Sequence, residues 1–474
     1  MATRTPPTAT ERLAGPGRDE ALVASRVGWL VALATLGLFC VGSTRPFSWD
    51  ASNSVGHFIA TPSLVDPFVN NVEVNNHVLL SALEHAVYTA TGSKDELLLR
   101  LPPILFGAAV VGIVAWEIAR RWGTVPALAG ALVIATNPLV LKEFREVRGY
   151  SLMVLCSAVG THLLVTHRRD PQRRHRRLYG LVMFVGAGTH LYALAVLAVH
   201  GVVVGSDRSL LRRWAKPMAA GAAGALLFGV PISRSLGQAA PRRFPSPFPL
   251  EVGFDLVGGR VVAFLGLLPI ALLGLRVLRR SGDVRRAAVT TAGLVVVAWV
   301  SAPVALATRF FIWAVPAAAV VMAAAVSHRR ELALVVAAAC LFPLVTSWGE
   351  LGEGQVPNRQ AATIAGAIER AGFRACALRN TGAITMAAYD RVIAAVRSVA
   401  DFSGCNAVLS AAGTSDASLL RAARRRFPLV MRLDAEEPER AFFDGVTALS
   451  VGEAALHPSS TGESPKRHDV SRSP

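Results

Sequence analysis

The chain has 474 residues, 52% of them hydrophobic and 17% charged, with a net charge of +17. That apolar share over this length excludes an ordinary string of soluble domains. The positive charge falls in short arginine tufts between apolar runs, with no aromatic-interleaved basic patch, which argues against a nucleic-acid partner.

The first 26 residues, "MATRTPPTATERLAGPGRDEALVASR", are long and mixed in charge, with no small-residue cleavage site close behind. They read as a disordered cytoplasmic tail, 1–26, before an uncleaved first span. Apolar runs near the bilayer-crossing length of about 20 residues then recur from Val27 to Trp348. Between them lie "ARRWG", "HRRDPQRRHRR", "DRSLLRRWAK", "RVLRRSGDVRR" and "SHRRE", which the positive-inside tendency assigns to the cytoplasmic side. With the tufts held inside, spans are predicted at 27–44, 101–118, 124–141 and 149–166. Two short helices meeting at "GAGTH" follow within 178–204, because one straight crossing would leave a basic tuft outside. The remaining spans are 217–232, 258–277, 286–303, 310–326 and 331–348. The expectation is a polytopic α-helical protein of the cell membrane, with about 11 transmembrane helices and a cytoplasmic N-terminus, and a transmembrane domain at 27–348.

The outer loop, 45–98, holds the first polar concentration, "PFSWDASNSVGHFIA". As an α-helix it places Asp50, Asn53, Ser54 and His57 at i, i+3, i+4 and i+7, on one face. Val55, Phe58 and Ile59 then rest on lipid or on neighbouring helices. Asp50 either caps this amphipathic interfacial helix or works in a cleft, and His57 either joins it or is solvated. A second membrane-surface helix is predicted in "NNVEVNNHVLLSALEHAVYTATG", with Leu80, Leu83 and Val87 as its apolar stripe. His77 opens it beside Asn75 and Asn76, while Glu84 and His85 read as solvated.

Between the third and fourth spans comes "KEFREVRGY". Arg145 and Arg148 are neighbours at helical spacing. They either pair with Glu143 and Glu146 or bind an anion. Arg234, Arg242, Arg243 and Arg309 also fall on the outer side. Guanidinium forks at headgroup level suit a phosphate, and a nearby carboxylate suits general-base work on a hydroxyl.

Beyond the last span, 349–457 reads as a small extracytoplasmic α/β domain. "AATIAGAIERAGFRA" has a helical period, and "CALRN", "AVLSAA", "FPLVMRLDA" and "DGVTALSV" read as short strands. Cys376 and Cys405 could pair there in an oxidising compartment, whereas Cys40, Cys156 and Cys340 lie in apolar runs. The polar end, 458–474, reads as disordered. No Cys-x-x-Cys or His/Cys cluster suggests zinc, and no internal repeat is visible.

In order, these motifs resemble the GT-C superfamily of integral membrane glycosyltransferases, most closely its protein mannosyltransferase and aminoarabinose lipid A transferase branch. Asp50 matches the acid after the first span, and "NNHVLLSAL" resembles the family's Asn-His-Pro-Pro-Leu segment. "LLLRLPPILFG" matches at Arg100, Pro102 and Pro103, and Glu146, Arg148 and Tyr150 reproduce a Glu-x-Arg-x-Tyr stretch. "THLYALAVLAVHG" looks like the sixth-span region, where His190 and Tyr192 sit. Two departures stand out: the family's Asp-Glu pair is Asp50-Ala51 here, and His-Pro-Pro is His77-Val78-Leu79. The resemblance is clear over 45–205 and rests on topology alone over 205–348.

The resemblance implies inverting transfer of a sugar from a polyprenyl-phosphate donor to a glycan, lipid or protein acceptor on the outer face. In that reading Asp50 is the general base, and Arg148, with Arg145 or Arg309, holds the lipid phosphate. Tyr150 supports that site, His77 orients sugar or phosphate, and His57 is a further substrate contact. No cofactor is implied; loss of the second loop acid weakens the case for a divalent metal. The rival readings are a transporter or flippase of lipid-linked intermediates and a non-catalytic membrane scaffold. One-sided clustering of the ionisable groups, without repeated halves, favours the transferase.

Overall fold

The computed structural model describes residues 18–45, 47–69, 77–168, 170–205, 207–236, 261–279 and 308–346. In the C-terminal segment it describes 374–378, 394–396, 407–410, 429–432, 440–443 and 470–472, with a few isolated residues between them.

The helices in chain order are α1 (Arg18–Cys40), α2 (Trp49–Ser54), α3 (Asp66–Val69), α4 (Val78–Thr91), α5 (Glu96–Trp122), α6 (Thr124–Ala135) and α7 (Pro138–Glu143). They continue as α8 (Tyr150–His167), α9 (Arg173–Thr189), α10 (Ala193–Gly205), α11 (Arg208–Leu236), α12 (Val261–Leu278), α13 (Val315–His328) and α14 (Leu332–Thr346). A π-helical turn, Val55–Ile59, extends α2, and a 3₁₀ turn, Thr308–Ala314, leads into α13. Helices stand at each expected crossing except 286–303, which lies outside the described residues. Among the described residues, four segments are long and apolar enough to cross a membrane: Asp19–Cys40, Glu96–Trp122, Tyr150–His167 and Phe311–His328. The stretch 178–204 is broken as expected, with α9 ending at Thr189 and α10 beginning at Ala193.

By contacts the chain forms two compact units. The first comprises Met1–Cys40, Pro102–Arg145 and Gly149–Trp348. Its helices approach closely where glycines remove side chains. A Cβ on Gly28 would lie 2.8 Å from the Trp116 Cβ, and one on Gly112 would lie 2.8 Å from the Ala32 Cβ, so α1 and α5 cross on these residues. One chain of buried polar groups links three of these helices. Tyr179 donates to His200 Nδ1 at 2.9 Å, and His200 Nε2 donates to Thr161 at 2.9 Å. Thr161 in turn donates to the Ser157 carbonyl at 2.7 Å, which fixes the direction of every proton along α9, α10 and α8.

The second unit comprises Val41–Leu101, Glu146–Arg148 and Gly349–Pro474. The outer loop thus clusters with the C-terminal segment. Among the described residues, that segment carries a six-stranded mixed sheet of order β2-β1-β3-β5-β4-β6. Its strands are β1 (Ala375–Leu378), β2 (Ala394–Val396), β3 (Ala407–Ser410), β4 (Leu429–Arg432), β5 (Arg440–Phe443) and β6 (Val470–Arg472). β1 pairs in parallel with β2 and β3; the other pairs are antiparallel. Cys376 and Cys405 form a disulfide beside the β1–β3 ladder. The expected strand at 444–451 lies outside the described residues. Strand β6 falls inside 458–474, the stretch expected to be disordered; its polar residues pair by backbone with β4, a source of order that composition does not report.

Candidate active site

The polar residues of the second unit are organised by one apolar core. Ala51, Val55 and Ile59, four apart along α2 and its π-helical extension, are fully buried with Phe47, Leu99 and Val147, and Val87 and Tyr88 of α4 pack against them. The helix bearing Asp50 is therefore clamped by its apolar stripe, each such side chain contributing about 1.5–3 kcal/mol. The π-helical turn also corrects an expectation. Its wider winding rotates the residues after Ser54 off the α-helical register, so His57 is exposed while Asn53 and Ser54 are buried. The four-residue polar face is split, and Val55, Phe58 and Ile59 are buried in protein rather than resting on lipid.

Glu146 organises the start of α2. Its carboxylate accepts from Ser48 Oγ at 2.8 Å and from Arg45 Nη2 at 3.1 Å. Ser48 Oγ also accepts from the Ala51 amide at 3.3 Å, capping the helix of which Asp50 is the second residue. Ser48 therefore takes the N-cap role that was open to Asp50. The side chain of Asp50 lies outside the described residues.

Arg100 completes this group from the N-terminal end of α5. Fully buried, it donates to the carbonyls of Ser43 (2.9 Å) and Arg45, lies 4.0 Å from Glu146, and stacks its guanidinium over Phe47 at 5.1 Å. Glu146 thus pairs with Arg45 and Arg100, not only within its own loop as the simplest pairing of "KEFREVRGY" would have it. Arg45 and Ser48 carried no signal in the sequence beyond their place after the first span.

Arg148, two residues on, turns to α4. Its Nε donates to His77 Nε2 at 3.4 Å, both side chains being buried. As the acceptor, His77 is neutral with its proton on Nδ1. The structure thus brings His77 and Arg148 together. Asp50 and Arg148 each lie two residues beyond the direct Ser48–Glu146 bond.

Helix α4 turns a polar face inward, which overturns the solvated reading of Glu84 and His85. His77, Ser81 and Glu84, at i, i+4 and i+7, are all buried, whereas Leu83 of the expected apolar stripe is exposed. His85 donates from Nδ1 to the Ile59 carbonyl at 2.8 Å and accepts from Thr89 at 3.2 Å, closing the end of the π-helical turn. Burial pushes the Glu84 carboxyl well above the usual carboxylate range, and its Oε1 has no hydrogen-bond partner among the described residues. The i, i+7 spacing from His77 was the available signal for Glu84.

In the first unit, Asn137 caps α7, accepting from the amides of Leu139 (2.9 Å) and Val140 (3.2 Å) with Pro138 at the first helical position. That cap leads into buried Glu143, Phe144 and Arg145, and the chain re-enters this unit at Gly149 with Tyr150 and Ser151 also buried. Tyr150 heads α8, its ring 4.9 Å from that of His190, which lies 5.0 Å from Tyr192 at the α9–α10 break. Arg309 lies on the 3₁₀ turn before α13, and its side chain, like Arg234, Arg242 and Arg243, lies outside the described side chains. Among the described residues no group of three or more His, Cys, Asp or Glu is placed to hold a metal ion.

Comparison with known proteins agrees with this architecture. Residues 78–233 match the family of dolichyl-phosphate-mannose-protein mannosyltransferases. The match takes in Arg100, Arg145, Arg148 and Tyr150 but begins after Asp50 and His77. No curated protein matches the chain by sequence. Among solved structures, it is similar to apo ArnT from Cupriavidus metallidurans, with a TM-score of 0.62 at 14% identity, covering 90% of this chain and 98% of that one. The same enzyme bound to undecaprenyl phosphate gives 0.57 at 15% identity, covering 90% and 99%. Archaeal oligosaccharyltransferase AglB from Archaeoglobus fulgidus, in complex with an inhibitory peptide and a dolichol-phosphate, gives 0.55 at 10% identity, covering 86% and 72%. The fold is the one seen in these ArnT and AglB structures.

Proposed function

We propose that this chain is a membrane glycosyltransferase that moves a sugar from a polyprenyl-phosphate donor to an acceptor hydroxyl on the outer face, with inversion. The observation that carries the reading is the tie within one compact unit between three elements: the Asp50 helix held by Glu146, the His77 end of α4, and Arg148. Neighbours of this fold solved with undecaprenyl phosphate or dolichol-phosphate support the choice of donor class.

In the proposed step Asp50 takes the proton of the acceptor hydroxyl as its oxygen attacks the anomeric carbon. The bond from that carbon to the phosphate oxygen breaks on the opposite face, and the lipid phosphate leaves with the electron pair. Arg148 neutralises that departing charge, because guanidinium donors match phosphate oxygens. His77, already tied to Arg148, orients a sugar or phosphate oxygen. The N-terminus is cytoplasmic and the C-terminal segment extracytoplasmic in this reading.

The test is purified protein incubated with polyprenyl-phosphate sugars, with products analysed by mass spectrometry. Asp50→Asn is expected to lower turnover by about 10²–10⁴-fold with donor affinity nearly unchanged. Arg148→Ala is expected to weaken donor binding by about tenfold or more. Equal loss of turnover and donor binding in Asp50→Asn would make the residue structural, and unchanged donor affinity in Arg148→Ala would remove the phosphate role.

A further inference from the structure

A cavity of about 980 Å³ lies wholly within the helical unit and shares α8 with Tyr150 and the 3₁₀ turn Thr308–Ala314 with Arg309. Arg100 belongs to the N-terminal end of α5, whereas Glu117 and Arg121 stand in its last turns. The inner wall is apolar, built from Val114, Ile118, Val154, Val199, Trp313 and Val320 on α5, α8, α10 and the α13 region. The rim is charged, with Arg121, Arg168, Arg174 and His175 from the ends of α5 and α8 and the start of α9.

Among the rim cations, Arg168 lies close enough to Asp207 to act on its charge. Glu117 is engaged by Arg121 at 3.3 Å and by His162 Nδ1, and Asp170 is exposed. Arg174 Nε donates to His175 Nε2 at 3.2 Å, so the proton of a neutral His175 is on Nδ1. That Nδ1 is buried and has no hydrogen-bond partner among the described residues. A buried N–H donor without an acceptor, on the wall of a cavity with a basic rim, asks for an anionic oxygen. A free anion would leave the apolar wall unfilled; a hydrocarbon chain fills it.

We propose that this cavity binds an anionic membrane lipid, its phosphate held by Arg168, Arg174 and His175 and its chain laid along the apolar wall. Basic pockets between transmembrane helices are fitted to phosphate headgroups in this way. By the arginine tufts the rim belongs to the cytoplasmic leaflet, so the site is separate from the outer-face donor site and stands whether or not the transfer reading holds.

The test is native mass spectrometry of the delipidated full chain in detergent with phosphatidylglycerol, phosphatidylcholine or diacylglycerol, and with undecaprenyl phosphate in parallel. One retained equivalent of phosphatidylglycerol is expected, weakened at least tenfold in the double variant Arg168→Ala/Arg174→Ala and in the cavity-filling Val199→Trp. An equivalent of undecaprenyl phosphate lost only in these variants would also support the site and identify a phosphate monoester as its headgroup. The double variant changes rim residues and leaves the buried core untouched, so its result stands even if Val199→Trp does not fold. Equal retention of phosphatidylcholine and diacylglycerol, unchanged retention by the double variant, or full displacement of the lipid by inorganic phosphate would overturn the proposal.

Discussion

Glu84 shows how much a single buried carboxyl can report. Folded, it is held above the usual carboxylate range by burial; unfolded, it titrates normally. Between those two values the folded chain binds the extra proton, so stability falls as pH rises through that window. The contribution is fully present below the unfolded value and lost above the folded one. Glu84→Gln keeps the shape without the titration. Its melting temperature in detergent is therefore expected to stay within about 2 °C of the parent at acidic pH and to decline less than the parent toward alkaline pH. Parallel curves for the two proteins across that range would mean that Glu84 has a charged partner in the fold. At this scale the sequence was a mixed guide. The Arg148–His77 meeting follows from two motifs of one resemblance. Glu84 was hidden because a carboxylate beside an apolar stripe ordinarily reads as solvent-facing, and only packing on the core of its unit reverses the face.

At the scale of elements, hydropathy and arginine placement carried most of the information, because a helix in a bilayer must satisfy its own backbone and so announces itself by length. The break between α9 and α10 was legible for the same reason: charge on both flanks forbade one crossing. The π-helical turn after α2 was not legible, since an extra residue per turn leaves no mark in composition. Helix contacts were likewise silent until the structure showed them. On α11, a Cβ at Gly224 would lie 2.2 Å from the Phe184 carbonyl oxygen of α9, a backbone atom that cannot swing aside. Gly37 of α1 has nothing within 4 Å of the same position. Gly224→Ala is expected to separate α9 from α11 at a cost of about 1–3 kcal/mol or more, whereas Gly37→Ala stays within about 0.5 kcal/mol of the parent. Thermal unfolding followed by size-exclusion chromatography in detergent distinguishes the two. A neutral Gly224→Ala would show that α9 and α11 are not in this close register.

For the whole molecule, the sheet and its disulfide bear on which side of the membrane the last segment occupies. The strands at 375–378, 407–410 and 429–432 were readable as apolar runs, while β2 and β6 are too short and too ordinary to stand out from coil. The cysteines were readable only as a conditional: a pair, given an oxidising compartment. Cys376 and Cys405 are bridged, with 29 residues of separation, whereas Cys156 and Cys340 are free and buried within apolar helices. A loop of that length implies roughly 3.5 kcal/mol of stabilisation for the segment when oxidised. Cytoplasmic thiol pools would reduce such a bridge, so its persistence in cells is a readout of topology. In intact cells stripped of their outer layers, a membrane-impermeant reductant followed by an impermeant maleimide is expected to label Cys376 and Cys405. Without the reductant, both should stay unlabelled. The double variant Cys376→Ser/Cys405→Ser should lose that signal and release its C-terminal segment to protease at a lower temperature than the parent. Labelling of these two cysteines only after the membrane is opened would place the sheet in the cytoplasm, and with an odd number of crossings ruled out, the outer-face assignment of the loop bearing Asp50 would have to be redrawn from the first span onward.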